Sequence, residues 1–162
     1  MPASGTATVT LPTDEEIRIE RDFDAPRHLV WRAWTTPELV QRWWAGQRGT
    51  VTSAEIDLRV GGTWRYVMEV PGGPEVAFHG TFQEIVPEER IVTTEAYEGV
   101  PDPDGSAALN VVTFTEQDGR THLDLLVRCP SREVRDAIIE SGMEAGMQES
   151  YDLLEQVAAS LR

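Results

Sequence analysis

The sequence predicts an α+β domain in which a curved antiparallel sheet of about seven strands wraps around a long C-terminal helix. Three observations carry this. Residues 131–161 contain no proline and are rich in Glu, Ala, Met, Leu and Gln, which lose little rotamer freedom in a helix. Within them Val134, Ile138, Met143, Met147, Tyr151, Leu154, Val157 and Leu161 recur at three- to five-residue steps, mostly one helical face. Residues 50–128 instead alternate apolar and polar side chains, broken by short Gly-, Pro- and Asp-rich turns that make consecutive strands antiparallel.

In chain order, residues 1–14 are small and polar with two prolines and are expected to form a loose arm, leaving 15–162 as a single domain. Ile17, Ile19 and Phe23 alternate with charged residues as in a half-buried strand. Pro26 fits the first turn of a helix, where its missing N–H matters least, with Val30, Trp31 and Trp34 on one face. Thr36-Pro37-Glu38 repeats that signal, with Thr36 as N-cap of a second short helix carrying Leu39, Val40, Trp43 and Trp44 and stopping at Gly46.

Six strands follow. Residues 50–58 end at Gly61-Gly62. Residues 63–70 set Trp64, Tyr66, Met68 and Val70 on one face. Residues 75–86 place Phe78, Gly80 and Phe82 together, Gly80 marking a close approach or a bulge. Residues 90–98 are followed by the exposed loop 99–106, and residues 107–116 and 121–128 form a last hairpin. The order is therefore one strand, two helices, six strands and a helix. Ser131 is the expected N-cap of the C-terminal segment, and Gly142 marks a kink dividing it into a short and a long helix. Glycine inside a helix costs about 1 kcal/mol relative to alanine, so Gly142 and Gly146, four apart, predict a place where bulk is unwelcome and the helix leaves room.

The totals exclude several function classes. The chain has 162 residues, 40% hydrophobic and 26% charged, as in a globular protein. No apolar run reaches the length of a membrane span. The first residues have neither a basic start nor an apolar core, so a signal peptide is not expected, and a cytoplasmic location is. The single cysteine, Cys129, fits a reducing compartment. With 28 acidic and 14 basic residues the net charge is −14, which disfavours nucleic acid and anionic membranes as partners. Every basic residue is Arg. The absence of Lys removes Schiff-base, pyridoxal-phosphate and P-loop chemistry.

Several features together resemble one family: Ala25-Pro26 with Val30-Trp31 behind it, Trp43-Trp44, the run 57–62 (DLRVGG), the run 80–85 (GTFQEI) and Gly142-Met143. It is the bacterial family named for similarity to the activator of the heat-shock-protein-ninety ATPase, within the START-like (SRPBCC) superfamily, and the resemblance covers roughly residues 15–159. It implies a helix-grip fold, with the sheet gripping the long helix over an internal cavity that commonly takes small apolar molecules. The superfamily holds carriers, receptors, cyclases and hydrolases together, so fold alone does not choose among them.

His28, His79 and His122 are scattered and no paired-ligand spacing occurs, so no metal or cofactor is expected. Cys129 reads as a small packed residue. The aromatic set is the richer signal. Trp34, Trp43, Trp44, Trp64, Tyr66, Phe78, Phe82 and Tyr97 would line up with Met143, Met147 and Tyr151 if the helix lies across the sheet, either as plain core or as the wall of a binding cavity. Trp43 and Trp44, being adjacent, must face different ways. Asp57 and Arg59 are either an outward ion pair or inward groups that orient a ligand's polar end. The leading expectation is a module that binds a small apolar or aromatic molecule, as monomer or homodimer. The alternatives are an enzyme (cyclase, dehydratase or hydrolase) using the same cavity, and a chaperone-associated interaction module.

Overall fold

The computed structural model describes residues 6–162 of the chain. Its elements are β1 (Thr8–Thr10), β2 (Glu16–Phe23), α1 (Arg27–Thr35), α2 (Pro37–Trp43), β3 (Thr50–Ile56), β4 (Thr63–Glu69), β5 (Glu75–Val86), β6 (Arg90–Tyr97), β7 (Ala108–Gln117), β8 (Arg120–Arg128), α3 (Arg132–Glu140) and α4 (Met143–Ser160). All strands join one antiparallel sheet in the order β1-β2-β8-β7-β6-β5-β4-β3. The meander from β3 to β8 returns to β2, so the first long strand closes beside the last. Register irregularities between Val51 and Ser53 and between Phe82 and Glu84 add the local twist that bends such a sheet. The layout is the helix-grip arrangement.

The sheet has eight strands rather than seven. Thr8–Thr10 pairs with β2, Val9 lying opposite Ile19, where a loose arm was expected. Two forces hold it: β-branched residues suit a pleated edge, and Gln148 of α4 clasps the preceding residue. The Gln148 amide accepts from the Ala7 N–H at 3.0 Å and donates to the Ala7 carbonyl at 2.9 Å. Composition alone predicts looseness because that clasp comes from 141 residues away. The first five residues of the expected arm lie outside the described residues.

Local signals account for most element ends. Asp118 and Gly119 both have positive φ (54° and 76°) in the two-residue turn between β7 and β8, as a type I′ hairpin requires. The Ser131 hydroxyl accepts from the Val134 N–H at 3.2 Å and caps α3. Gly142 is left-handed, with φ of 84°, and separates α3 from α4. Thr36 precedes α2 as expected, but its side chain makes no cap hydrogen bond, because the same residue also terminates α1.

The core lies between the sheet's helix-facing side and the helices. Phe23, Phe114, Leu123, Leu154 and Val30 are fully buried there. Arg21 shares that face of β2 and is also buried. Its guanidinium stacks 4.8 Å from the Phe23 ring centre and pairs with Asp152 at 2.8 Å and Glu155 at 3.5 Å. This ion set ties α4 to the sheet. The glycines of α4 do not face the interior. A Cβ on Gly146 would meet the Arg48 guanidinium at 3.2–3.5 Å, and one on Gly142 would meet it at 3.5–3.7 Å. The room they leave is taken by Arg48, a side chain of the loop after α2.

Candidate functional site: an aromatic interior around Glu95

Trp43 and Trp44 divide the aromatic side chains into two groups. Trp43 is 4% exposed, and its indole N–H donates to the Ala33 carbonyl at 2.9 Å. It packs on Trp34 at 5.3 Å between ring centres, and Trp34 in turn meets Phe114 at 5.8 Å and Tyr151 at 6.1 Å. Tyr151 continues to Phe23. Two of these four contacts are edge to face and two are tilted, and the rings pack into the core.

Trp44, one residue on, turns to the sheet. It meets Tyr66 at 5.3 Å and Phe78 at 5.2 Å, both edge-on. Tyr66 lies 4.7 Å from Trp64, and Phe78 lies 5.1 Å from Tyr97. The register explains this grouping: Tyr66 pairs with Phe78, and Phe78 with Tyr97. Trp64 pairs with Gly80, where an added Cβ would lie 2.6 Å from the Trp64 indole nitrogen and 1.8 Å from the Thr94 carbonyl oxygen. Gly80 is thus the close approach its position predicts: it lets the Trp64 indole reach across and donate to Thr94 at 3.2 Å.

The same face of β6 carries a charge that the sequence reading passed over. Tyr97 faces this side, so by alternation Glu95 and Thr93 do too, opposite Ala108 and Asn110 of β7. The Asn110 amide donates to Glu95 Oε1 at 2.6 Å. Burial pushes the Glu95 carboxyl above its usual range, with the Asn110 hydrogen bond opposing. Burial also pushes the Tyr66 and Tyr151 hydroxyls well above theirs, and the nearby Glu95 charge adds to both. The Cys129 thiol rises to about 11 for the same leading reason. The available signal was the placing of Tyr97 on the inner face, which implies the same for the residue two before it.

The other expected site residues fall as follows. Phe82 is buried in the core, 6% exposed. Met143 and Met147 are half-buried against the core cluster. Tyr97 is 42% exposed and forms the rim of the second aromatic group. Asp57 and Arg59 are not at the interior. They lie in the turn after β3, paired with each other at 2.9 Å with side chains 51% and 68% exposed. The turn looks outward because β3 ends at Ile56, before either residue, and backbone bonds fold 57–62 back on itself, with Gly61 and Gly62 exchanging bonds with Phe82.

Outside the interior, His79 lies between Glu98 and Asp104, 2.8 Å from each, and Glu98 also accepts two bonds from Arg65 at 2.9 Å. Arg65 and then His79 hold the Glu98 carboxyl down at about 2, and this cluster fastens the loop after β6. His122 pairs with Asp22 and Glu20 on the outer face. A shallow depression of about 420 Å³ lies on that face among Pro12, Glu16, Arg18, Val111, Thr113, Asp124, Leu126 and Arg128; its charged side chains pair across strands. Among the described residues no three His, Cys, Asp or Glu converge as a metal site, and no helix is long and apolar enough to cross a membrane.

Solved structures share this architecture from end to end. A crystal structure from Rhodobacter sphaeroides superimposes with a TM-score of 0.86 at 25% identity, covering 96% of this chain and 99% of that one. The Chromobacterium violaceum protein CV1439 gives 0.77 at 26% identity, covering 90% and 98%. The Mycobacterium smegmatis protein Ms6760 gives 0.84 at 22%, covering 97% and 100%, which shows the fold alone. No curated protein matches the sequence. The model of one family, described as activator of Hsp90 ATPase homolog 1-like protein, matches residues 24–159, and the chain belongs to that family.

Proposed function

We propose that this protein binds a small aromatic or apolar molecule in an internal space between the sheet and the C-terminal helices, walled by Trp44, Trp64, Tyr66 and Phe78 and bounded by Met143 and Met147. One observation carries the reading. Trp44, Tyr66, Phe78 and Glu95 lie together on the helix-facing side of the sheet and all keep intermediate accessibility, and burial raises the pKa of Glu95 and of Tyr66. Groups enclosed on all sides but not fully contacted line a hollow; groups in a packed core lose both water and accessibility. The fold supports the same reading, since such pockets are mostly apolar with a few placed polar groups.

Titration with toluene, followed through the tryptophan indole N–H resonances, tests it. Saturable shifts at Trp44 and Trp64 with Trp43 unmoved are expected. An interior that takes up no toluene refutes the reading. Catalysis in the same space is the second reading, and Glu95 favours it: a buried carboxyl with a raised pKa is a candidate general acid. A chaperone-associated role would need an exposed apolar patch; among the described residues the large exposed apolar side chains are Leu11, Leu58, Val60, Tyr97 and Ile139.

A further inference from the structure

We propose that the interior site selects an organic cation: an aromatic primary amine whose ammonium group sits against Glu95 and Asn110 and whose ring lies against Trp44, Tyr66 and Phe78. This rests on the ligand-binding reading above and specifies the ligand class.

The polar end of the site is made of acceptors. Asn110 uses its amide N–H₂ on Glu95 Oε1, and its own carbonyl oxygen is enclosed with no donor among the described residues. A ligand here must bring N–H or O–H groups, and an ammonium brings three. A carboxylate or phosphate brings none and would meet the ionised form of Glu95 as a like charge.

Among the described residues Glu95 has a hydrogen-bond partner, Asn110, and no ion-pair partner. The titratable groups that respond to it are Tyr66 on β4, Tyr151 on α4 and Cys129 after β8. The buried guanidiniums are engaged elsewhere: Arg21 with Asp152 and Glu155, Arg135 with Asp136 and the Thr13 carbonyl. An enclosed carboxylate without an opposite charge is unfavourable and gains most from a cation brought to it. Burial alone favours its protonated form, so cation binding and ionisation of Glu95 are coupled.

The walls suit a cation with an aromatic body. Ring faces attract ammonium groups, Trp most strongly, and Trp44, Trp64, Tyr66 and Phe78 are joined within 5.3 Å of one another in a chain. Across the sheet Glu95 pairs with the small Ala108, and on the other side the register that pairs His79 with Ala96 brings Gly80 beside it, with the Trp64 indole taking the place of the missing side chain. A net charge of −14 raises the local concentration of cations over anions.

Three shape-matched probes decide the matter on the intact protein at neutral pH: 2-phenylethylamine, 2-phenylethanol and 3-phenylpropionate, each titrated by calorimetry. The amine is expected to bind at least about tenfold more tightly than the alcohol, with no binding of the anion. Glu95→Gln is expected to weaken the amine at least about tenfold and to leave the alcohol within about threefold. The proposal is overturned if the alcohol matches the amine, if the anion binds, or if Glu95→Gln leaves amine affinity unchanged. Should that variant not fold, the amine-to-alcohol ratio in the unaltered protein decides alone. Toluene uptake without amine binding overturns the cation proposal and leaves the ligand-binding reading intact; failure of toluene and of all three probes overturns both.

Discussion

Trp43 and Trp44 are neighbours in the chain and belong to different kinds of interior. The Trp43 side is the more closed: its indole N–H is satisfied by a backbone carbonyl, Phe23, Phe114 and Tyr151 are buried around the half-accessible Trp34, and Trp43 itself is 4% exposed. The Trp44 side holds as many rings, yet Trp44, Tyr66 and Phe78 all stay half-accessible, and a carboxylate and an amide share their side of the sheet. A region built only for stability would not keep a carboxylate there, because burying one without a counter-charge works against folding. The difference teaches that aromatic content by itself separates nothing; satisfaction of polar groups and completeness of contact separate core from site.

The largest test of that contrast replaces each tryptophan in turn. Trp43→Ala should cost about 3–5 kcal/mol, as removal of a fully packed aromatic does, measured by urea unfolding. Trp44→Ala should cost less, about 1–3 kcal/mol, while abolishing the toluene-induced shifts at Trp64. Equal losses of stability would make both regions core and remove the distinction.

Glu95 sharpens the contrast through pH. Its folded pKa is raised above the ordinary 4.5, chiefly by burial, so between the unfolded and folded values the folded chain holds the extra proton. Stability must therefore fall as pH rises through that window. Glu95→Gln removes this fall, and its melting temperature should exceed that of the unaltered protein at neutral pH and approach it below pH 4.5. Asn110 remains able to bond the amide, and Tyr66, Cys129 and Tyr151, whose values lie far higher, do not titrate in that range. Thermal melts across pH 4–8 decide; a variant less stable at neutral pH would mean the carboxylate is balanced by a charge and the site is closed.

These two regions also show what a single sequence makes legible. Caps and turns were readable because their causes are local: Ser131 bonds three residues on, Gly142 needs a left-handed backbone, and Gly80 yields to a partner in the adjacent strand. That the two tryptophans diverge follows from helix geometry. Glu95 with Asn110 was missed because a charged residue in a strand is usually on the outer face, and their meeting depends on the β6–β7 register. For Asp57 and Arg59, alternation with Ile56 and Leu58 points outward and only a strand curving over a cavity would turn them inward; the strand stops at Ile56, before that curvature could act on either. The Thr8–Thr10 strand depends on Gln148, which no window of the N-terminal sequence contains.

The smallest expected effect lies on α4. The two glycines four residues apart suggest a helix making room for a ligand, and the side chain found in that room is Arg48. If so, Gly146→Ala should be neutral or stabilising by up to about 1 kcal/mol, since alanine favours helix by that amount and the Arg48 guanidinium, 3.2 Å from the new methyl, is the far end of a flexible chain that can shift. Gly142→Ala should instead destabilise by about 1–2 kcal/mol, because its φ of 84° is left-handed and a Cβ there is strained whatever the space around it. Toluene binding should be unchanged in both. Loss of binding in Gly146→Ala would extend the open region to the helix and move its boundary from Trp44 to α4 itself.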